Sequence, residues 1–416
     1  MNHSQTAQTQ VARIRLAPFI LLQVASLFSL AAGSMVFLLY PWMAIDLTNS
    51  ATSAGLLVTL TSIPGLLMSP VIGSIIDKLG RRNSAIFSEL AAAATAVAIP
   101  LVAAFGGLNL TALAIIGVVR AIVGSGGGIA RKALIPDVAT AGKLTLERAN
   151  SIHESVFAAG FAIGPAVAAI CIDAIGASNA FWVVAVLGAL AGVITLLIRV
   201  HEHYEEHHEE SGNLAVYAVQ GFKALFSTPS VLIVMSAIMT LAVIYMPTEM
   251  VVLPTYYRSI GNPQGLGFLI TTMATFTTIG SLLFEWATKR FSFRNLLRIA
   301  ILGVGIGMTP MAFLPPQWAM VVCGALLGLA WGPLPPLLNT VIQRKVPANV
   351  RGRVFSLEMT IWTAGPLITM TLAGWAVDTL GVHIVYPIIA IGVLLAGIVV
   401  STRKALADLD SAALID

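Results

Sequence analysis

Three charged side chains stand inside otherwise apolar stretches of this sequence: Glu89, Arg120 and Glu249. A charge near the middle of a lipid-spanning helix costs roughly 2.5 to 3.5 kcal/mol on insertion scales, so such a residue is expected to face a partner, a cavity or a proton path. A carboxylate that meets alternate sides can take up and release a proton, and a guanidinium can serve that exchange or hold an anionic group of a ligand. Glu249, flanked by Pro247 and Pro254, is the better coupling acid, while Glu89 is read as snorkelling or paired within the bundle. Asp46 and Glu285 fall where apolar runs end and are read as interfacial acids.

Other chemistries lack residues to carry them. The apolar runs hold no His-x-x-x-His, no Gly-x-Ser-x-Gly and no paired aspartates, which argues against an enzyme. A G-x-x-x-x-G-K-[ST] loop is also missing, so ATP is not the direct energy source. Cys171 and Cys323 lie in separate apolar runs and offer neither a disulfide framework nor a thiolate cluster. His203 and His207 stand four apart within the acidic run His201 to Glu210, but a solvated linker accounts for them and no metal is assigned. A sensor would need a folded output domain, and a channel a ring of like charges.

The elements that must position the embedded charges follow from composition. Of 416 residues, 57% are hydrophobic and 10% charged, against roughly 25% charged in soluble domains, and the long apolar runs are too continuous for β-barrel alternation. The runs predict an all-α membrane protein with twelve transmembrane helices, centred near residues 30, 64, 94, 120, 163, 189, 243, 276, 304, 330, 370 and 392. With both termini cytoplasmic, every one of the 23 Lys and Arg residues except Arg120 and Arg258 falls on the inner side, as the positive-inside rule requires. The first run, Ala17 to Met43, is too long for a signal-peptide core, so no cleaved targeting segment is expected and the chain reads as multi-pass in the cytoplasmic (inner) membrane. A polar segment divides it into a six-helix bundle over 1–199, an acidic, His-rich cytoplasmic linker over 200–230 and a second bundle over 231–416, with a surface helix expected over Leu214 to Phe226. The halves repeat a pattern: Gly164-Pro165 then Asp173-x-x-Gly176, and Gly365-Pro366 then Asp378-x-x-Gly381. Paired halves are the build of many secondary carriers, with a midplane site between them.

Between the second and third runs the chain reads Gly73-Ser-Ile-Ile-Asp77-Lys78-Leu-Gly80-Arg81-Arg82, which closely resembles the signature loop of the major facilitator superfamily. The resemblance implies a cytoplasmic gate built from Gly73, Asp77, Gly80, Arg81 and Arg82. The second-half counterpart, Gly280 to Arg294, is degenerate, with Phe284-Glu285 where the acid is expected. Arg120-Ala-Ile-Val-Gly124-Ser-Gly126 is similar to a second superfamily motif found in drug exporters, and implies proton coupling or anion holding by Arg120. Gly160-x-x-x-Gly164-Pro165 resembles the core of the exporter motif in the fifth span, with Ser151 in place of its first glycine; glycines four apart also make a flat packing face and the proline predicts a bend. Gln343 to Phe355 and Pro41 to Ser50 resemble the branch holding enterobactin exporters and macrolide or multidrug efflux pumps. That resemblance implies a monomeric carrier in membrane lipid, exporting an amphipathic drug, macrolide or siderophore against protons, with no cofactor beyond the proton gradient and no nucleic acid. It also places the seventh span, and with it Glu249, on the central cavity, where Gln23, Tyr245, Trp331 and Asn339 are the expected substrate contacts. An uptake symporter, or a lipid or metabolite carrier on the same fold, is the alternative.

Overall fold

Side-chain caps and single glycines set the helix ends. Ser50, Asn109, Thr145, Asn262 and Ser292 each accept a hydrogen bond from the backbone N–H three residues on, satisfying a donor that has no partner within its helix. Gly80, Gly176 and Gly381 hold φ near +84°, +84° and +82° and turn one helix directly into the next, a backbone that a side chain would strain. The computed structural model describes residues 16–200, 223, 225–346, 348–403, 406 and 409. The His201–Glu210 run and nearly all of Leu214–Phe226 lie outside the described residues, as do both chain ends.

In chain order the helices are α1 (Ala17–Thr48), α2 (Ala51–Leu79), α3 (Arg81–Ala104), α4 (Leu110–Ala133), α5 (Ile135–Ala141), α6 (Leu146–Ile175) and α7 (Ala177–Leu196). The second half has α8 (Pro229–Pro247), a π-helical turn (Thr248–Val252), α9 (Leu253–Ser259), α10 (Pro263–Leu282), α11 (Phe284–Arg290), α12 (Phe293–Met311), α13 (Gln317–Trp331), α14 (Leu334–Lys345), α15 (Ala348–Leu380) and α16 (Val382–Ser401). Among the described residues, nine helical segments are long and apolar enough to cross a membrane. Three further long helices, α2, α12 and α15, intervene in chain order. On α16 the residues Ile384, Ile388, Ile391, Leu395 and Ile398 form a stripe that is about half exposed. Such an outward apolar face suits lipid, not water.

Tight links make successive long helices antiparallel, which gathers Lys78, Arg81, Arg82, Lys132, Arg148, Lys289, Arg290, Arg344 and Lys345 at one end, here the basic end. The opposite, short-loop end carries residues 49–50, 105–109, Gly176, 312–316 and Gly381. Within the first half α1 packs on α6 and α7, and α3 on α4 and α7; within the second, α10 packs on α13, and α12 on α13 and α16. The halves meet where α2 lies along α15 and α6 along α10. Helix α6 runs through Pro165 without a break. The helix-5 motif serves close packing on α1: a methyl on Gly160 would meet Leu30 Cβ at 2.6 Å, one on Gly164 would meet Ala31 O at 2.7 Å, and the Ser34 hydroxyl donates to Gly160 O at 3.0 Å.

Candidate functional site

In the second half, the two prolines around Glu249 shape the backbone it sits on. Pro247 has no N–H for the carbonyl of Val243, and that carbonyl instead accepts the Thr369 hydroxyl of α15 at 2.9 Å. The chain then passes into the π-helical turn Thr248–Val252, a local widening common at functional positions. Glu249 lies in this turn, half-buried, and its Oε1 accepts the Tyr245 hydroxyl at 2.6 Å. No Lys or Arg pairs with it among the described residues. Tyr245 is buried and packs on Trp331, with ring centroids 5.4 Å apart, and Trp331 on Trp362 at 6.2 Å. Thr248, beside Glu249 in the chain, and Tyr386, on α16 packed against the π turn, are buried, and among the described residues the hydroxyl of each has no hydrogen-bond partner. The result is one carboxylate on the π turn, a phenol on α8 and two indoles on α13 and α15, with further hydroxyls to spare.

The first half arranges its charges differently. Arg131, counted among the loop cations from sequence alone, is instead buried near the end of α4, where its Nη1 pairs with Glu89 Oε1 and its Nη2 donates to Ser29 Oγ at 2.6 Å. Ser29 in turn donates to Glu89 at 2.8 Å. Gly127 makes room for this pair, since a methyl there would meet Glu89 Oε1 at 2.8 Å. Glu89 is therefore paired within the bundle, the alternative to snorkelling that its sequence position left open. Arg120, half-buried on α4, donates to the carbonyl of Ala92 on α3 and has no carboxylate within ion-pair distance among the described residues. Beside the preceding turn stands Tyr40, whose buried hydroxyl has no hydrogen-bond partner among the described residues.

The other expected contacts scatter. Gln23 is buried on α1 with its Oε1 3.1 Å from His153 Nδ1, while its Nε2 has no partner among the described residues. Asn339 is exposed on α14. Of the four substrate positions read from sequence, the structure joins only Tyr245 and Trp331. At the basic end Gly80 makes the turn from α2 to α3, Arg81 pairs with the buried Asp137 of α5 at 3.1 Å, and Arg82 donates to the Leu196 carbonyl. Gly73 and Asp77 lie on α2, and the Asp77 side chain is outside the described ones. Glu285, read as an interfacial acid, follows a break at Leu283 and lies in the first turn of the exposed α11. Lys289 bonds it at 2.7 Å and draws its carboxyl below the usual range.

Sequence reasoning passed over several residues. Glu358, half-buried on α15, is an acid in a long helix that the same search for embedded charges would have found had the eleventh run been started earlier. Trp362 stands three residues before the Gly365-Pro366 pair but carried no signal of its own. Asp46, read as interfacial, bonds Arg258 of the other half through Nη2 at 2.5 Å and Nε at 2.8 Å.

Comparison with known proteins agrees with this architecture. The sequence model of the Major Facilitator Superfamily matches residues 22–261 and 249–408. The chain is similar to the multidrug efflux pump Tap of Mycolicibacterium fortuitum, 29% identical over 402 residues that cover 95% of this chain and 98% of that one. Macrolide efflux protein A of Streptococcus pyogenes is 24% identical over 367 residues, 87% of this chain and 89% of that one. Among solved structures, a mutant of the nucleoside transporter NupG superposes with a TM-score of 0.79 at 14% identity, covering 93% of this chain and 100% of that one.

Proposed function

The chain belongs to the Major Facilitator Superfamily and is a multi-pass membrane transporter, and we propose that within this family it exports an amphipathic small molecule by proton antiport and alternating access. In this reading twelve helices span the cytoplasmic membrane in two bundles, over 1–199 and 231–416, joined by the 200–230 linker. Both termini and the basic end are cytoplasmic, and the chain works as a monomer in lipid with no cofactor other than the proton gradient. Export is supported by the names of the relatives, a multidrug efflux pump and a macrolide efflux protein.

The observation that carries the mechanism is Glu249 in its π turn, bonded among the described residues to the Tyr245 phenol and to no cation, with Trp331 and Trp362 beyond. A carboxylate so placed can exchange a proton for a ligand group, because neither state is locked by a fixed counter-charge. The indoles and phenol supply the large apolar and π surfaces that an amphipathic drug or macrolide buries. Arg120 in the other half is the cation of the coupling path, and Glu89, held by Arg131, keeps the N-terminal bundle in shape while it rocks. Siderophores remain within the substrate class by size and amphipathic character. Proteoliposomes carrying an internal pH dye test the reading. Addition of erythromycin, a tetraphenylphosphonium salt or a catecholate siderophore is expected to evoke proton movement for at least one compound; labelled-substrate counterflow without any proton movement would sink antiport.

A further inference from the structure

Hydrogen bonds between the two halves recur at matching registers. Along the α2–α15 seam, Thr59 donates to Leu367 O at 2.7 Å; along the α6–α10 seam, Thr271 donates to Ala162 O at 2.9 Å. Thr59 and Thr271 stand equally far from their helix starts, Ala51 and Pro263. At the short-loop end each seam finishes on the repeated Asp-x-x-Gly. Asp173 accepts one bond, from Gln264 Nε2 at 2.7 Å. Asp378 accepts four: from Ser50 Oγ at 2.6 Å, the Ala51 N–H at 2.7 Å, and the Thr52 N–H and hydroxyl at 2.9 and 2.6 Å.

The division of labour at the start of α2 explains why this acid matters. Ser50, the capping residue, serves the N–H of Ser53 in its own helix. The first two N–H groups of α2 are left to a carboxylate from the opposite half, at the positive end of the helix dipole. Every donor lies in one half and the acceptor in the other, so the set exists only while this end is shut. Just inside it the backbones touch: a methyl on Gly374 would meet Thr52 Cα at 2.7 Å, and one on Gly55 would meet Met370 C at 2.7 Å. The exposed Asp46–Arg258 pair is a third link across the same end.

We propose that Asp378 is the principal latch of the short-loop end, a positioning residue that sets how often this end opens during transport, with Asp173 and Asp46 as weaker links. The proposal rests on alternating access by this chain, but not on the identity of the substrate or the direction of export. The duplicated Asp-x-x-Gly is thus used unequally, and the two seams are expected to part at different cost.

The test uses the full chain in phospholipid nanodiscs, with Cys171→Ser and Cys323→Ser, and spin-label pairs at positions 107 and 313 across the short-loop end and at 83 and 291 across the basic end. Asp378→Asn is expected to raise the long-distance population at 107/313 about fivefold and to shorten 83/291 in step, the scale of one hydrogen bond whose charge is screened at an exposed site. Asp173→Asn should change either by less than twofold, and Asp378→Glu should return the populations toward wild type. A purely structural role would lower the melting temperature and leave both distances as they were. If Asp378→Asn does not fold, Thr52→Val removes one donor from the other half and should shift 107/313 in the same direction by a smaller factor. Unchanged populations in Asp378→Asn, or in Thr52→Val where that variant stands in, overturn the latch while leaving the carrier intact. Equal shifts from Asp378→Asn and Asp173→Asn overturn the inequality. A single fixed distance at both pairs in wild type and all variants would overturn alternating access and the latch together.

Discussion

Glu89 and Glu249 are the same residue type, each set in a helix among apolar neighbours, yet their surroundings differ. Glu89 is locked to Arg131 and Ser29 within the first half, a closed set in which every charge has its complement. Among the described residues Glu249 has a phenol and no cation, on a turn widened between two prolines, with two indoles beyond. A buried pair resists losing either partner, whereas a carboxylate held by one neutral donor can change protonation or partner with little rearrangement. In the proposed mechanism one acid builds the bundle and the other carries the proton.

The comparison can be broken by substitution. Glu89→Gln strands the Arg131 charge in a buried site and is expected to destabilise the protein by about 3 to 5 kcal/mol, read as a lowered thermal midpoint in detergent. Glu89→Gln combined with Arg131→Met should recover most of that loss, because the uncompensated charge is gone. A Glu89→Gln protein that melts like wild type but has lost proton coupling would reverse the roles assigned to the two acids. Tyr245→Phe removes the one donor to Glu249, worth about 1.5 to 3 kcal/mol for a bond to a charged group, and should reduce coupled flux about tenfold while the fold persists. Trp331→Ala takes away an aromatic pair worth about 0.5 to 1.5 kcal/mol and should weaken binding of a transported compound by about two- to tenfold in a fluorescence titration.

The smallest effect sharpens the contrast between embedded and surface acids. Glu285→Gln is expected to leave flux and thermal midpoint at neutral pH as they are in wild type, since Glu285 and its partner Lys289 are both exposed. Its folded-state carboxyl lies below the ordinary value, so what the pair contributes is present at neutral pH and is lost only as the pH falls through that lowered value. A difference between Glu285→Gln and wild type that opened up above pH 6 would contradict this assignment.

Much of the fold could be read from residue types and spacing. Gly80 of the signature loop and Gly176 and Gly381 of the repeated Asp-x-x-Gly were singled out by pattern, and each holds the positive φ that turns one helix into the next. Tyr245 and Glu249, four residues apart, could be placed on one helical face, and they bond. What escaped were contacts made over long separations. Nothing local marks Arg131 as the partner of Glu89, and its basic neighbour Lys132 made it look like a loop cation. Asp46 and Arg258 are an ordinary pair of interfacial charges until the helices bring the two halves together. The Asp-x-x-Gly repeat was visible as a repeat, but its unequal use depends on which helix start lies opposite each acid, Ser50 to Thr52 for Asp378 and Gln264 for Asp173. Gln23 shows the converse limit: a polar residue in an apolar run suggested a ligand contact, and its neighbour is His153.

The most direct test of the account is Glu249→Gln in proteoliposomes, measured for two quantities with the same compound: counterflow of labelled substrate without a gradient, and uphill accumulation driven by an imposed proton gradient. The amide keeps the size and the acceptor oxygen for Tyr245 but cannot carry the proton. Counterflow that persists while gradient-driven accumulation disappears is the predicted result. Accumulation at wild-type level in Glu249→Gln would contradict the central claim and move the coupling proton to another residue.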